Sequence, residues 1–336
     1  EDCHVFHCAG VKLRGANQIT HIFQNHQVGF TGIQTVHDIS VYTNWSERAV
    51  LDGFREDAPL FFILTNSRGF TVEQTTRAHR EIGERVDQVA KETGWDYLII
   101  SRGDSTLRGH YPLETELLKE EAEKANGWSM DGEIICPYFK EGGRFTIGDV
   151  HYVKYGDELV PAGETEFAGD KTFGYTSSNL KEYVEEKTKG AFKASDVVSI
   201  SLESIRAMDI DGITAQLMAV QNFNKVIVNA IDNSDVKIFC IALYRALAQG
   251  KHFTYRTAAA FVKAMGNISD KPLLSRKEMV TLTSANGGIV VIGSHTKKTT
   301  MQFEEMSKIP MLIGVIAFVI LGELVRIWSA RGRKDD

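Results

Sequence analysis

Short apolar runs of strand length alternate along this chain with stretches whose apolar residues recur every three or four positions. Leu60-Phe61-Phe62-Ile63-Leu64-Thr65 predicts a buried strand. Thr71 then offers a helix N-cap, and Gln74 three positions on completes a capping box. Ile82, Val86, Val89 and Ala90 mark the inner face of that helix, which Gly94 closes. Tyr97-Leu98-Ile99-Ile100 predicts the next strand. Pro112 opens the next helix, where a missing N–H costs nothing. Its inward positions are Leu113, Leu117, Leu118 and Ala122, and Asn126-Gly127 ends it. Further strands are expected at Glu133–Cys136, Asp196–Ile200, Lys225–Val228 and Gly288–Ile292. This order predicts an α/β fold of two domains, with largely parallel sheets flanked by helices and an apolar helix at the C-terminus.

A length of 336 residues suits two domains, each with its own core. The chain divides into a segment at 1–28, an α/β domain at 29–194, α/β sequence at 195–306, and an apolar helix with a basic tail at 307–336. The boundary falls near Gly190–Ser195, between a charged helix and a fresh strand. Phe145 to Phe173 is glycine-rich, aromatic and weakly periodic, and reads as a hairpin insertion or a lid. Ile309 to Trp328 has the length of a membrane span, interrupted by Glu323 and Arg326, and a buried core helix is the competing reading.

A net charge of −6 without a basic stripe argues against nucleic-acid binding. The four cysteines, Cys3, Cys8, Cys136 and Cys240, form no Cys-x-x-Cys pair, and the last two sit in apolar runs as reduced core residues. With no basic, apolar leader at the N-terminus, the expected location is the cytoplasm, with membrane association through 309–328 left open.

Three polar clusters follow strands. Asn66-Ser67-Arg68-Gly69 follows the first, and Ser101-Arg102-Gly103-Asp104-Ser105-Thr106-Leu107-Arg108-Gly109-His110 follows the second. Loops between a strand end and a helix start are where open α/β sheets bind ligands. Arginine forks suit a carboxylate or phosphate, and the aspartate and hydroxyls suit sugar OH groups. A small polyhydroxylated acid is the ligand this chemistry implies, held by Arg68, Arg102, Asp104, Ser105 and Arg108. Arg102-Gly103-Asp104 also spells a cell-adhesion tripeptide, which is read here as chance. The third cluster, Gly293-Ser294-His295 followed by Thr296-Lys297-Lys298-Thr299-Thr300, suits phosphate at a helix start but lacks Walker A spacing. His37-Asp38 and Gly142-Gly143-Arg144 are weaker signals, and no His, Asp and Glu set has metal-ligand spacing.

Thr31-Gly32-Ile33-Gln34-Thr35-Val36-His37-Asp38, Leu64–Arg68 and Ser101–Pro112 resemble the four-carbon acid sugar kinase family. Cys136-Pro137, Gly142-Gly143-Arg144, Val150-His151-Tyr152-Val153 and the Ser294 cluster match as well, so the resemblance covers about residues 29 to 306. It implies that 1–28 is divergent and that 195–306 is only part of a second domain. It implies an N-terminal domain that binds a tetronate-type acid through Arg68, Arg102, Asp104 and Ser105. It also implies a C-terminal domain that binds ATP, with Ser294 as a nucleotide contact and Mg2+ as the accompanying ion. Asp104 is the candidate catalytic carboxylate near the attacking hydroxyl. The chain departs from the family at Gln27-Val28-Gly29-Phe30-Thr31-Gly32, where an acidic Asp-Asp-x-Thr-Gly motif is usual, and it has no Lys-Gly-Gly or Pro-Gly segment. Two readings follow: a kinase of four-carbon acid sugars with an incomplete ATP domain, or a non-catalytic, membrane-associated protein that binds or senses the sugar acid. Oligomeric state is not legible.

Overall fold

The alternation of runs becomes one mixed sheet in the computed structural model, which describes residues 7–13 (backbone only), 35–65, 67–104 and 106–272. The first half comprises β1 (His7–Leu13), β2 (Val41–Tyr42), α1 (Glu47–Arg55), β3 (Leu60–Leu64), α2 (Val72–Thr93), β4 (Asp96–Ser101), α3 (Leu113–Asn126) and β5 (Gly132–Cys136). A hairpin layer follows, made of β6 (Arg144–Ile147), β7 (Val150–Tyr155) and β8 (Glu158–Pro161), and then α4 (Leu180–Lys187). The last part comprises β9 (Val198–Ile200), α5 (Leu202–Arg206), α6 (Ile210–Ala219), β10 (Asn224–Val228), α7 (Asn233–Ala248), β11 (Phe253–Thr257) and α8 (Ala259–Met265).

Eight strands pair in the order β2-β3-β1-β4-β11-β5-β10-β9. All neighbours run parallel except β1, which is antiparallel to both β3 and β4. Residues 195–272, the described part of the 195–306 segment expected from sequence to form part of a second domain, supply β9, β10 and β11 to this same sheet, and the described residues fall in one compact unit. The sheet passes through the expected boundary because β10 pairs with β5 and β11 lies between β4 and β5. Phe145 to Phe173 contains the rest of the antiparallel sheet β6-β7-β8, in keeping with a hairpin insertion. The strand expected at Gly288–Ile292 and the apolar helix at 309–328 lie outside the described residues. Among those described, no helix is long and apolar enough to cross a membrane.

Local signals explain the helices that frame the site. Thr71 and Gln74 form the expected capping box at the start of α2, and Gly94 ends it in the left-handed conformation. Pro112 precedes α3, and Gly127 ends it with the same left-handed turn. Successive residues of β5 face opposite layers. Ile134 packs with Phe239, Tyr255 and Phe261 beneath α7 and α8, while Ile135 packs with Tyr111, Tyr183 and Ile227. A third cluster joins α1 and α2 to β3 through Phe54, Phe61, Ile82 and Val86. Cys136 and Cys240 are buried free thiols in the core.

Two charges that look like surface residues in the sequence are fully buried. Lys225 and Glu133 oppose each other in register, with their charged atoms 2.6 Å apart. The Lys225 ammonium also lies 3.5 Å from the centre of the Phe223 ring. A cation over an aromatic face is stabilised by the ring quadrupole, and this partly replaces the water it lost.

Candidate sugar-acid site

The C-terminal ends of β3, β4, β11 and β5 meet at one edge of the sheet, where Arg256 and Arg144 lie close enough to act on the charge of Asp104. Arg256 is the pillar of this edge. It lies near the end of β11 at 1% exposure, and its Nη1 donates to Glu114 Oε2 at 2.7 Å. Its Nη2 donates to the Arg108 carbonyl at 2.9 Å. Glu114, in the first turn of α3, accepts from the Ser67 hydroxyl at 2.7 Å through its other oxygen. One buried ion pair therefore ties the loop after β3 to the loop after β4. Burial pushes the Glu114 carboxyl up, but Arg256 and its other neighbours more than offset this and hold it below the usual range. Burial likewise disfavours the Arg256 cation, and Glu114 and Asp104 reverse the balance.

The loop from Gly103 to Gly109 is shaped by this pillar. A Cβ on Gly103 would collide with Glu114 and Arg256. Gly109 has φ +126°, and a Cβ there would lie 2.8 Å from Arg256 Nη2. Thr106 and Leu107 adopt left-handed backbone angles, with φ of 56° and 64°. Such angles are held only where surroundings fix them. Here the Tyr175 hydroxyl donates to the Thr106 carbonyl and the Tyr183 hydroxyl to the Leu107 carbonyl, each at 2.8 Å. The Asp104 carboxylate accepts from the Leu107 N–H at 3.2 Å. Burial raises the Asp104 pKa above the ordinary carboxylate range, with Arg256 and Arg144 pulling the other way.

Arg102 is 5% exposed; among the described residues its Nε has no hydrogen-bond partner and no carboxylate pairs with it. Its nearest described π contact is the Phe62 ring of β3, 6.0 Å from the guanidinium carbon. Burial alone lowers its pKa to about 10. A buried, unpaired guanidinium is costly in a free protein and suits an anionic ligand.

The other sequence-predicted residues fall in different situations. Arg68 sits half-buried in a short 3-10 turn, Ser67–Gly69, on the same edge. Arg108 lies with its Nη1 3.4 Å from the Asp170 carboxylate and its guanidinium 4.8 Å from the Phe167 ring. Ser105 and Ser294 lie outside the described residues. His37 bonds to Asp38 and to the Ser269 carbonyl, each at 3.0 Å, which is a structural role. Among the described residues, no group of three His, Cys, Asp or Glu could hold a metal ion.

Sequence reading missed Arg256 and Glu114 and ranked Arg144 low. The signals exist. Phe253-Thr254-Tyr255-Arg256-Thr257 is a β-branched and aromatic run, and Glu114 shares the inward face of α3 with Leu117, Leu118 and Glu121. Arg144 donates from Nε to the Thr106 hydroxyl at 3.0 Å and lies 5.4 Å from the Phe167 ring, so it braces the loop from the hairpin layer.

A family model described as a sugar-binding N-terminal domain matches residues 13–265. No curated protein matches the chain. Among solved structures, it is similar to a domain of unknown function (DUF1537) from Bordetella bronchiseptica, solved with bound citrate as a domain-swapped dimer. That similarity has 19% identity and a TM-score of 0.46, covering 76% of this chain and 54% of that one. It is also similar to a Haemophilus influenzae protein of the DUF1537 family, at 18% identity and a TM-score of 0.42, covering 68% and 55%. The chain thus spans about half the length of these solved relatives. With the Asp104–Gly109 loop, the arginine-rich strand edge and the match over residues 13–265, this chain belongs to the four-carbon acid sugar kinase family, and it carries that family's sugar-binding N-terminal domain.

Proposed function

We propose that this chain binds a four-carbon sugar acid at the strand edge, with Arg102 as the anchor of its carboxylate. The observation that carries this reading is the buried Arg102 guanidinium, whose Nε has no hydrogen-bond partner and which has no carboxylate partner among the described residues. A carboxylate can take a guanidinium fork in two parallel hydrogen bonds, each stronger than a neutral one. Arg108 and Arg68 lie on the loops beside it and add positive potential, while Ser105 and Asp104 suit the hydroxyls. Asp104 accepts hydrogen bonds from a ligand hydroxyl in its ionised form. Its raised pKa makes it a better proton acceptor than an ordinary carboxylate at neutral pH.

ATP and Mg2+ belong to this reading only through the family. ATP would supply the phosphoryl group, and Ser294 is the residue proposed to touch it. Residues 13–265 would then bind and orient the acid, with Asp104 taking the proton of the attacking hydroxyl. The Gln27–Gly32 sequence, without the acidic motif of the family, favours acid binding without transfer as a second reading. Titration calorimetry with threonate and erythronate tests the binding claim. Replacing Arg102 by Ala is expected to weaken binding by about 100-fold, the equivalent of about 3 kcal/mol. Equal affinity in the variant would contradict the assignment of Arg102. ADP release that needs both ATP and the acid separates the kinase from the binding protein.

A further inference from the structure

β4 and β11 are neighbours in the sheet, yet they pair only at Ser101 and Arg256. The positions that would continue this register, Thr254 with Ile99 and Phe253 with Leu98, border a cavity of 620 Å³ instead. Leu98 and Ile99 are half-exposed although their strand is internal to the sheet. A wedge therefore opens at the N-terminal ends of β4 and β11, the opposite end of these strands from Arg102. Its volume lies within the range of about 300–1,000 Å³ typical of small-molecule sites.

The lining has a definite chemistry. Trp95, Tyr97, Trp128 and His252 contribute aromatic walls, and the Trp128 and His252 rings are stacked 3.8 Å apart at 4°. The Thr254 hydroxyl borders the wedge at 4% residue exposure with no hydrogen-bond partner among the described residues. Asp87, also 4% exposed, takes the Tyr97 hydroxyl and the Asn126 amide on one oxygen. The lining lysines are committed elsewhere: Lys91 to the Ala125 carbonyl at 2.7 Å, and Lys251 to Asp131 at 2.8 Å. The wedge thus offers flat apolar faces and hydrogen-bond acceptors, but no uncommitted lysine for an anion. Strand edges that lose their ladder also present N–H and C=O groups that need partners.

From this we infer that the wedge is a second small-molecule site, for a flat heteroaromatic ring carrying N–H donors, the chemistry of a nucleobase. The ring would lie between the strand edges against the Trp128–His252 wall, with its N–H groups directed to Thr254 and Asp87. This inference is independent of the sugar-acid reading.

Adenine is the probe, titrated into the full chain and followed by tryptophan fluorescence. Saturable binding is expected, unaffected by threonate. Thr254→Val removes the orphan acceptor and should weaken binding at least tenfold; Ala248→Phe fills the wedge from the end of α7 and should abolish it. No saturable binding by the cooperatively folded chain, or equal affinity in both variants, would overturn the site. One readout needs no substitution at the wedge. Adenine should shift the indole N–H resonances of Trp95 and Trp128 and leave that of Trp45 in place, and the opposite pattern would also overturn it.

Discussion

Arg102 is the residue on which the account turns, because the proposal assigns its buried guanidinium to the ligand. An arginine that held the fold together would have a carboxylate or carbonyl partner, as Arg256 does with Glu114 and the Arg108 carbonyl. Arg102 is therefore expected to oppose stability in the free protein. Arg102→Met, which keeps the apolar stem and removes the charge, should raise stability by about 1–3 kcal/mol, which corresponds to several degrees in Tm. Calorimetric melting checks this, and a lower Tm would mark Arg102 as structural. Glu114 should behave in the opposite way. Glu114→Gln leaves the buried Arg256 cation without its counter-charge and is expected to cost about 3–5 kcal/mol in denaturant unfolding. The sequence shows both residue types plainly, but not this difference. Partnership depends on β11 arriving between β4 and β5, a long-range pairing that no local pattern displays.

At the scale of elements, the local signals and the structure agree where chemistry is local. The Thr71–Gln74 capping box, the Gly94 and Gly127 terminations and the runs that become β3, β4, β5 and β10 are all written in adjacent residues. β9 falls within the run expected at Asp196–Ile200, whereas the strands β2 and β11 and the place of 195–272 in the same sheet depend on tertiary partners instead. The hairpin layer adds its own testable feature. His151 of β7 is fully buried, its Nδ1 lies 3.1 Å from the Thr146 hydroxyl, and its Nε2 has no described partner. Burial, with the nearby Arg144 charge, lowers its pKa from 6.5 to about 3. A base depressed in this way contributes stability that is complete above pH 6.5 and is lost as pH falls toward about 3. The loss should approach about 1.4 kcal/mol per pH unit in that window. Replacing His151 by Gln should flatten this part of the stability profile, measured by urea unfolding from pH 7 to pH 4. An unchanged acid slope would show that other groups set it.

The whole domain organises a single sheet so that β3, β4, β11 and β5 deliver their loops to one edge. There the Arg256–Glu114 pair fixes the Asp104 loop, while Arg102 has no ion-pair partner among the described residues. On the proposed reading this edge would bind the acid, and any transfer to its hydroxyl would be a separate step that needs the nucleotide. The most direct measurement is titration calorimetry of the full chain with threonate, run in parallel on the wild type and on Arg102→Met. The account predicts saturable binding by the wild type and none by a variant that melts at a higher temperature. Equal binding by both proteins, or no binding of threonate or erythronate by a cooperatively folded wild type, would contradict it.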